Sequence, residues 1–326
     1  MPSEPLPPAR LGPYRLLARL GRGGMADVHL GRRYGAAGFE KDVAIKVLRP
    51  EHREDPERLR LFLAEARLGA RFDHPGLVQV HDLGLDGDLY YMVMDRVDGL
   101  DLAALIARRP LPRPLALHVG EEVALALAHV HGLADDAGRP LGVVHRDLSP
   151  ANLLIARSGA VKLIDFGIAK ATAQGDVTWG RLRKGKFAYM APEQVLGAVV
   201  SDASDRFALA VVLCELLLGR RPFDGDDPLT TMQAIRDAAP PPPAFFADLS
   251  PALVDLLRRC LSREPSHRLA DSAALARALR RIRVDEGHHA GPLDLAAWLR
   301  LAVEGGAPDP APAPPTETAW QTSTGV

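Results

Sequence analysis

The residues with the most chemistry in them run Val144-His145-Arg146-Asp147-Leu148-Ser149-Pro150-Ala151-Asn152, followed further on by Leu163-Ile164-Asp165-Phe166-Gly167. Two acids and an amide around two short strand-like pieces, Leu153 to Ile155 and Val161 to Ile164, suit a hard cation that takes oxygen ligands. Asp165 and Asn152 offer such oxygens to Mg²⁺ or Mn²⁺. Asp147 is then left to orient an incoming hydroxyl and accept its proton. The bland alternative is a polar turn between two strands, and the ordered pairing of both patterns argues against it.

Closer to the N-terminus, Gly21-Arg22-Gly23-Gly24-Met25-Ala26-Asp27-Val28 lies between two strand-like runs. Glycines let a backbone turn tightly and approach phosphates. The pattern is G-x-G-x-x-A, with Ala26 where a third glycine is usual. A dinucleotide fold needs a helix directly after such a loop. The following VHLGRR reads as strand, which favours a hairpin folded over a triphosphate. Next comes Ala44-Ile45-Lys46-Val47, a lysine among buried-type apolar neighbours. A helix over Pro56 to Arg71, with apolar Leu59, Phe62, Leu63, Ala66 and Ala70, carries Glu65. A Lys46–Glu65 pair would hold the ammonium toward the α- and β-phosphates of a nucleotide.

The elements that must position these groups divide the chain. Residues 1–13 are rich in proline and read as a flexible leader. From Tyr14 to Val97, the runs YRLLARLG, MADVHLGRR, DVAIKVL, LVQVHDLG and LYYMVMDRV have strand character. Four or five antiparallel strands with one helix make a small lobe that ends in a hinge. Residues 98–283 are dominated by helices, over Ala116 to His131, Phe207 to Leu217, Leu253 to Cys260 and Ala273 to Ile282. The second of these is apolar nearly all round and belongs at the centre of the larger lobe. Residues 284–304 include an apolar helical pattern, LDLAAWLRLAV, expected to pack back on that lobe. Residues 305–326 form a Pro/Ala-rich tail that cannot fold alone.

Composition narrows the function. Lysine plus arginine total 40 against 41 acids, a formal net charge of −1, which gives a nucleic-acid partner no global support. The apolar run Phe207 to Leu218 is too short for a bilayer span and holds Glu215. A signal-peptide pattern is absent from MPSEPLPPARLG, so a cytoplasmic protein without a membrane span is expected. The two cysteines, Cys214 and Cys260, sit in apolar helical patterns and read as buried thiols. Paired histidines His288 and His289 lack companion ligands at zinc spacing.

On these motifs the chain resembles the eukaryotic-type (Hanks-type) Ser/Thr protein kinases found in bacteria, over roughly Tyr14 to Ile282. The resemblance implies an α+β, bilobal kinase-like fold with a small antiparallel sheet lobe and a larger helical lobe. It implies ATP with Mg²⁺ or Mn²⁺, and transfer of the γ-phosphate to Ser/Thr hydroxyls of protein substrates. Gly21, Arg22, Gly23, Gly24 and Val28 would then cover the phosphates, with Lys46 paired to Glu65. Asp147 would be the base, and Asn152 and Asp165 the metal ligands. Met94 falls at the gatekeeper position and Asp95 to Val97 at the hinge. Val28, Ala44 and Leu154 would sandwich adenine, and Asp101 would reach the ribose. Ala191-Pro192-Glu193 closes the activation segment, with Glu193 expected against Arg268 and Asp205 bracing the catalytic loop. Val80, Gly69, His145 and Phe166 fall at regulatory-spine positions, where Gly69 offers no side chain, so that either the coupling of the helix to the active site is loosened or a neighbour fills the gap.

Two departures touch the chemistry. Family members usually carry lysine two residues after the catalytic aspartate, where this chain has Ser149. They usually carry threonine before the APE segment, where Gly185-Lys186-Phe187 has lysine. The pair is consistent with a relocated charge, Lys186 serving where Ser149 does not. The competing reading is a weak or inactive kinase acting as a nucleotide-binding scaffold. Thr178, ahead of Arg181, Arg183, Lys184 and Lys186, is the first candidate for autophosphorylation through self-association, and Thr172 the second.

Overall fold

A computed structural model of the chain describes residues 10–167 and 186–304, apart from the side chain of Lys186. It is bilobal. The small lobe contains β1 (Arg10–Leu11), β2 (Tyr14–Arg22), β3 (Ala26–Tyr34), β4 (Glu40–Leu48), β5 (Val80–Asp86) and β6 (Leu89–Asp95). Among the described residues they form one antiparallel sheet in the order β1-β2-β3-β4-β6-β5. Helix α1 (Pro56–Gly69) starts where Asp55 accepts the backbone N–H groups of Glu57 and Arg58, with proline at its first position. One side of the sheet buries Ala26, Leu48 and Met92 against Phe62 and Ala66 of α1. The other collects Leu11, Tyr14, Val43, Ile45, Tyr91 and Val93.

Within the expected leader 1–13, Leu11 is fully buried and pairs with Tyr14, so its last residues join the small lobe. The Gly12 N–H reaches Asp86 of β5 at 2.7 Å, so the sheet curls until its first strand meets its last. Apolar burial of one leucine thus turns part of a proline-rich segment into structure.

The larger lobe opens with β7 (Gly99–Asp101), α2 (Leu102–Arg108) and α3 (Arg113–His131). Next come β8 (Leu153–Ala156), β9 (Val161–Leu163) and α4 (Pro192–Val195). The remaining helices are α5 (Asp202–Leu218), α6 (Pro228–Asp237), α7 (Pro251–Cys260), α8 (Ser272–Asp285) and α9 (Pro292–Glu304). Its core joins α3 and α5 through residues such as Leu117, Val123, Leu127, Phe207, Val211 and Cys214. Leu295, Trp298 and Leu299 of α9 belong to that same core, so the C-terminal helix docks on the large lobe. Helix α5 begins five residues before Phe207, capped by the Ser201 hydroxyl on Ala203 N–H. Ser204, Asp205 and Arg206 in its polar first turn are buried. Cys214 and Cys260 are free, buried thiols whose pKa burial pushes up to about 12. Among the described residues no helix is long and apolar enough to cross a membrane.

Candidate active site

The hairpin between β2 and β3 pairs Gly21 with Val28 and Arg22 with Asp27. It closes through the Gly23 N–H on the Ala26 carbonyl at 2.9 Å. A Cβ at Gly23 would stand 2.8 Å from that oxygen, so the tip demands glycine there. Gly21 and Gly24 face open space. Ala26, in the place of a third glycine, is buried beside Leu48 and Phe62, and its methyl packs in the lobe core.

Strand register sets the face beneath this hairpin. Val28 pairs with Lys46 and Lys46 with Met92, while Leu30 pairs with Ala44 and Ala44 with Met94. Because side chains alternate, Val28, Ala44, Lys46 and Met94 share one side of the sheet. Asp95 ends β6 opposite Val43, and Val97 lies in the link to β7. Across that link, Leu154 of β8 stands opposite Asp101. Asp101, the expected ribose contact, accepts the Ala104 N–H on its Oδ1 at 2.8 Å and caps α2, which commits one of its two oxygens.

Lys46 is where the lobes meet. Its Nζ donates to Glu65 Oε1 at 2.5 Å and to Asp165 Oδ1 at 3.2 Å. Burial by itself would drive the ammonium toward neutrality. The Glu65 carboxylate, then Asp165, outweigh it and hold the Lys46 pKa above the ordinary lysine value. Burial in turn raises the Glu65 pKa, against the opposing pull of Lys46.

The loop carrying Asp147 is held at several points. Asn152 Nδ2 donates to the Asp147 carbonyl at 2.7 Å and to its Oδ2 at 3.1 Å. With that nitrogen committed, the oxygen is the atom Asn152 has to offer a cation. His145 Nδ1 accepts the Asp147 N–H at 3.2 Å, so its Nε2 carries the proton and donates to the Ile164 carbonyl at 3.1 Å. Burial lowers the His145 pKa, in keeping with this neutral tautomer. The imidazole lies 4.7 Å from the Phe166 ring, which lies 4.7 Å from Phe72. Arg146 and Asp165 both adopt left-handed backbone, φ 66° and 56°, conformations costly for non-glycine residues and kept only where surroundings impose them.

Those surroundings come from α4 and α5. Asp205 accepts the backbone N–H groups of His145 at 2.7 Å and Arg146 at 2.9 Å, and bonds His131 Nε2 at 2.9 Å. Burial disfavours its charge, but these bonds and the histidines hold its pKa below the usual carboxylate range. Glu193 meets Arg268 in two parallel bonds of 2.7 and 2.8 Å and accepts the Ser204 hydroxyl at 2.6 Å. Gln194, which the motifs did not single out, donates to the Arg146 carbonyl at 3.0 Å while its oxygen accepts the Ala191 N–H. It therefore ties α4 to the loop that carries Asp147. His131 likewise clamps Asp205, and only tertiary contact reveals either role.

Gly69 leaves no gap. A Cβ there would lie 2.5 Å from Val80 Cγ2, so the valine occupies the space. Ser149 is buried, and its hydroxyl has no hydrogen-bond partner among the described residues. Lys186 begins a single turn, Lys186–Tyr189, but its side chain lies outside the described residues, as do Thr172, Thr178 and the basic run before it.

Comparison with known proteins agrees with this geometry. A family profile described as "Protein kinase domain" matches residues 14–279. The chain is 37% identical over 295 residues to "Tyrosine-protein kinase MasK" of Myxococcus xanthus, covering 89% of this chain and 46% of that protein. It is 38% identical over 293 residues to "Serine/threonine-protein kinase PknA" of Mycobacterium tuberculosis, covering 83% and 62% respectively. The chain thus spans about half the length of the curated relatives it matches. The solved PknI kinase domain of Mycobacterium tuberculosis superposes with a TM-score of 0.61 at 32% identity, covering 83% of this chain and 97% of that one. With the match spanning both lobes and every motif above, the chain belongs to the protein kinase domain family, in its bacterial Hanks-type branch.

Proposed function

We propose that the protein transfers the γ-phosphate of ATP to serine or threonine hydroxyls of protein substrates, itself included, with Asp147 as base. The observation that carries this reading is Lys46 bonded at once to Glu65 and Asp165, an ammonium bridging the lobes where the α- and β-phosphates would rest. The glycine-rich hairpin covers the triphosphate and the hinge, Asp95 to Val97, receives the adenine edge. Val28, Ala44 and Leu154 flank the ring, Met94 backs it, and Asp101 keeps one oxygen for the sugar.

Asp147 receives the proton of the acceptor hydroxyl as its oxygen forms the new bond to phosphorus. The bond from phosphorus to the β–γ bridging oxygen breaks, and ADP leaves. Asn152 and the Asp165 carboxylate together make a hard, two-oxygen donor set that fits Mg²⁺, a cation that completes its shell with phosphate and water. When bound, that cation neutralises charge on the phosphates. Lys186 supplies the further cation that a buried, uncharged Ser149 does not, and Thr178 or Thr172 accepts phosphate when two copies meet.

The names of the relatives divide between tyrosine and serine/threonine kinases, so acceptor identity needs a direct assay. Labelled phosphate from [γ-³²P]ATP should appear as phosphoserine or phosphothreonine, and Asp147→Asn should abolish it. Transfer equal in wild type and Asp147→Asn would leave a nucleotide-binding scaffold, and phosphotyrosine alone would redirect the acceptor class. Lys186→Ala should lower kcat by about 10²-fold, the loss expected for one contact to developing charge.

A further inference from the structure

A chain of alternating charges crosses the back of the hinge. Arg32 of β3 meets Glu40 at 2.8 Å and Asp42 of β4 at 2.6 Å. Arg96, the residue after β6, donates to the other oxygen of Asp42 at 2.6 Å. Arg96 also approaches Asp98 at 3.7 Å, and Arg157, in the turn after β8, approaches Asp98 at 3.5 Å. The Arg157 N–H donates to the Asp98 carbonyl at 2.8 Å. The run therefore begins on the glycine-rich hairpin's second strand and ends in the large lobe.

Isolated surface ion pairs contribute little, but two features set Asp42 apart. Its side chain is only 23% exposed, and each carboxylate oxygen holds a different guanidinium. The Arg32 hydrogen bond, ahead of the other influences, holds the Asp42 pKa below the usual carboxylate range, so the clamp stays charged at neutral pH. Register completes the geometry. Val43, next to Asp42, pairs with Asp95, next to Arg96, so the clamp lies one residue from where the hinge backbone leaves the sheet.

We propose that Asp42 and Arg96 are positioning residues for the nucleotide: they fix the hinge backbone against the hairpin strand, and so set affinity for the adenine end. The proposal rests on the nucleotide site described under the proposed function. The clamp touches no phosphate, so its effect must fall equally on ATP and on adenosine.

The test measures dissociation constants of the full chain for ATP and for adenosine, with kcat and KM for ATP, in wild type, Asp42→Asn, Arg96→Gln and Arg96→Lys. Both charge-removing variants should weaken ATP and adenosine alike by about fivefold, the upper end for a surface ion-pair network, and raise KM with kcat nearly unchanged. Arg96→Lys should recover most of the loss. Raising salt from 0.05 to 0.5 M should shrink the gap between wild type and Asp42→Asn, because salt screens the wild-type clamp. Lys46→Met serves as contrast, losing ATP affinity while keeping adenosine. Unchanged affinities in Asp42→Asn, with wild type binding both ligands, overturn the clamp and leave the kinase reading intact. A loss confined to ATP, or a fall in kcat alone, also overturns it. Wild-type protein that binds neither ligand removes the nucleotide site, and the clamp with it.

Discussion

Asp205 Oδ1 accepts the backbone N–H of Arg146 at 2.9 Å, at a residue whose backbone is left-handed. One carboxylate, 59 residues further along the chain, therefore stabilises the bend that presents Asp147. Replacing it with Asn puts an amide donor against backbone donors in a buried place. Asp205→Asn should lower kcat by about 10²-fold, the order expected when a reacting group is displaced by an ångström. Affinity for ATP should change far less. Steady-state kinetics with nucleotide titration checks this, and an unchanged kcat contradicts it.

The Glu193–Arg268 pair is buried, with side chains 6% and 0% exposed. Removing one partner leaves a buried charge, so Glu193→Ala should cost about 3–5 kcal/mol in denaturant unfolding. Burial opposes the Glu193 charge, but Arg268 and Ser204 hold its pKa below the ordinary glutamate value. The sign follows from that direction. Its contribution is complete above the ordinary glutamate pKa and is lost as pH falls through the lower folded-state value. The gap between wild type and Glu193→Ala should therefore begin to narrow as pH falls below the ordinary glutamate pKa and keep narrowing toward the folded-state value.

Gly69→Ala places a methyl against Val80 Cγ2. Overpacking of this kind costs about 1–3 kcal/mol, and here it would also push α1 and Glu65 outward from Lys46. Val80→Ala in the same chain should recover most of the loss. If the double variant is as unstable as the sum of the singles, the contact is not the cause.

His118 is buried in α3 with neither ring nitrogen hydrogen-bonded among the described residues, and Glu122 stands 4.0 Å away. Relieving an unsatisfied polar group with an apolar ring should gain about 1–2 kcal/mol, so His118→Phe is expected to unfold at a higher temperature at pH 7. Burial first, and Arg283 second, lower the His118 pKa. A folded-state value below the unfolded one means wild-type stability is full above the ordinary histidine range. It declines as pH falls through that range toward the folded value. The advantage of His118→Phe should grow from pH 7 to pH 5, by at most about 1.4 kcal/mol per pH unit. A constant difference across that range contradicts the assignment.

Much of this architecture was legible where the pattern was long. The runs YRLLARLG, MADVHLGRR and LYYMVMDRV became strands, and the Leu59–Phe62–Ala66 spacing became α1. Short elements carry no period to read, so β1 and β7 were missed. The start of α5 was missed for another reason. Asp205 and Arg206 look like surface residues by type, yet both are buried, Asp205 under the backbone of His145 and Arg146 and Arg206 against Asp202 one turn before it. In the site, Lys46, Asp147, Asn152 and Asp165 stand in compact motifs and Glu65 on a periodic helix, and the structure brings Lys46 to Glu65 and Asp165, and Asn152 to Asp147. Gln194, His131 and the Asp42–Arg96 clamp act through partners 48 to 74 residues away, which no local spacing encodes.

The brace on the catalytic loop also bears on how the protein is made. Nearly every group that would touch ATP precedes residue 168, whereas Asp205 and Arg268 emerge from the ribosome later. A nascent chain that has grown only past Asp165-Phe166-Gly167 holds its reactive side chains without the backbone that aims them. On the proposed reading, competence arrives only once Asp205 and Arg268 have both been made, and chains that stop short of them stay silent.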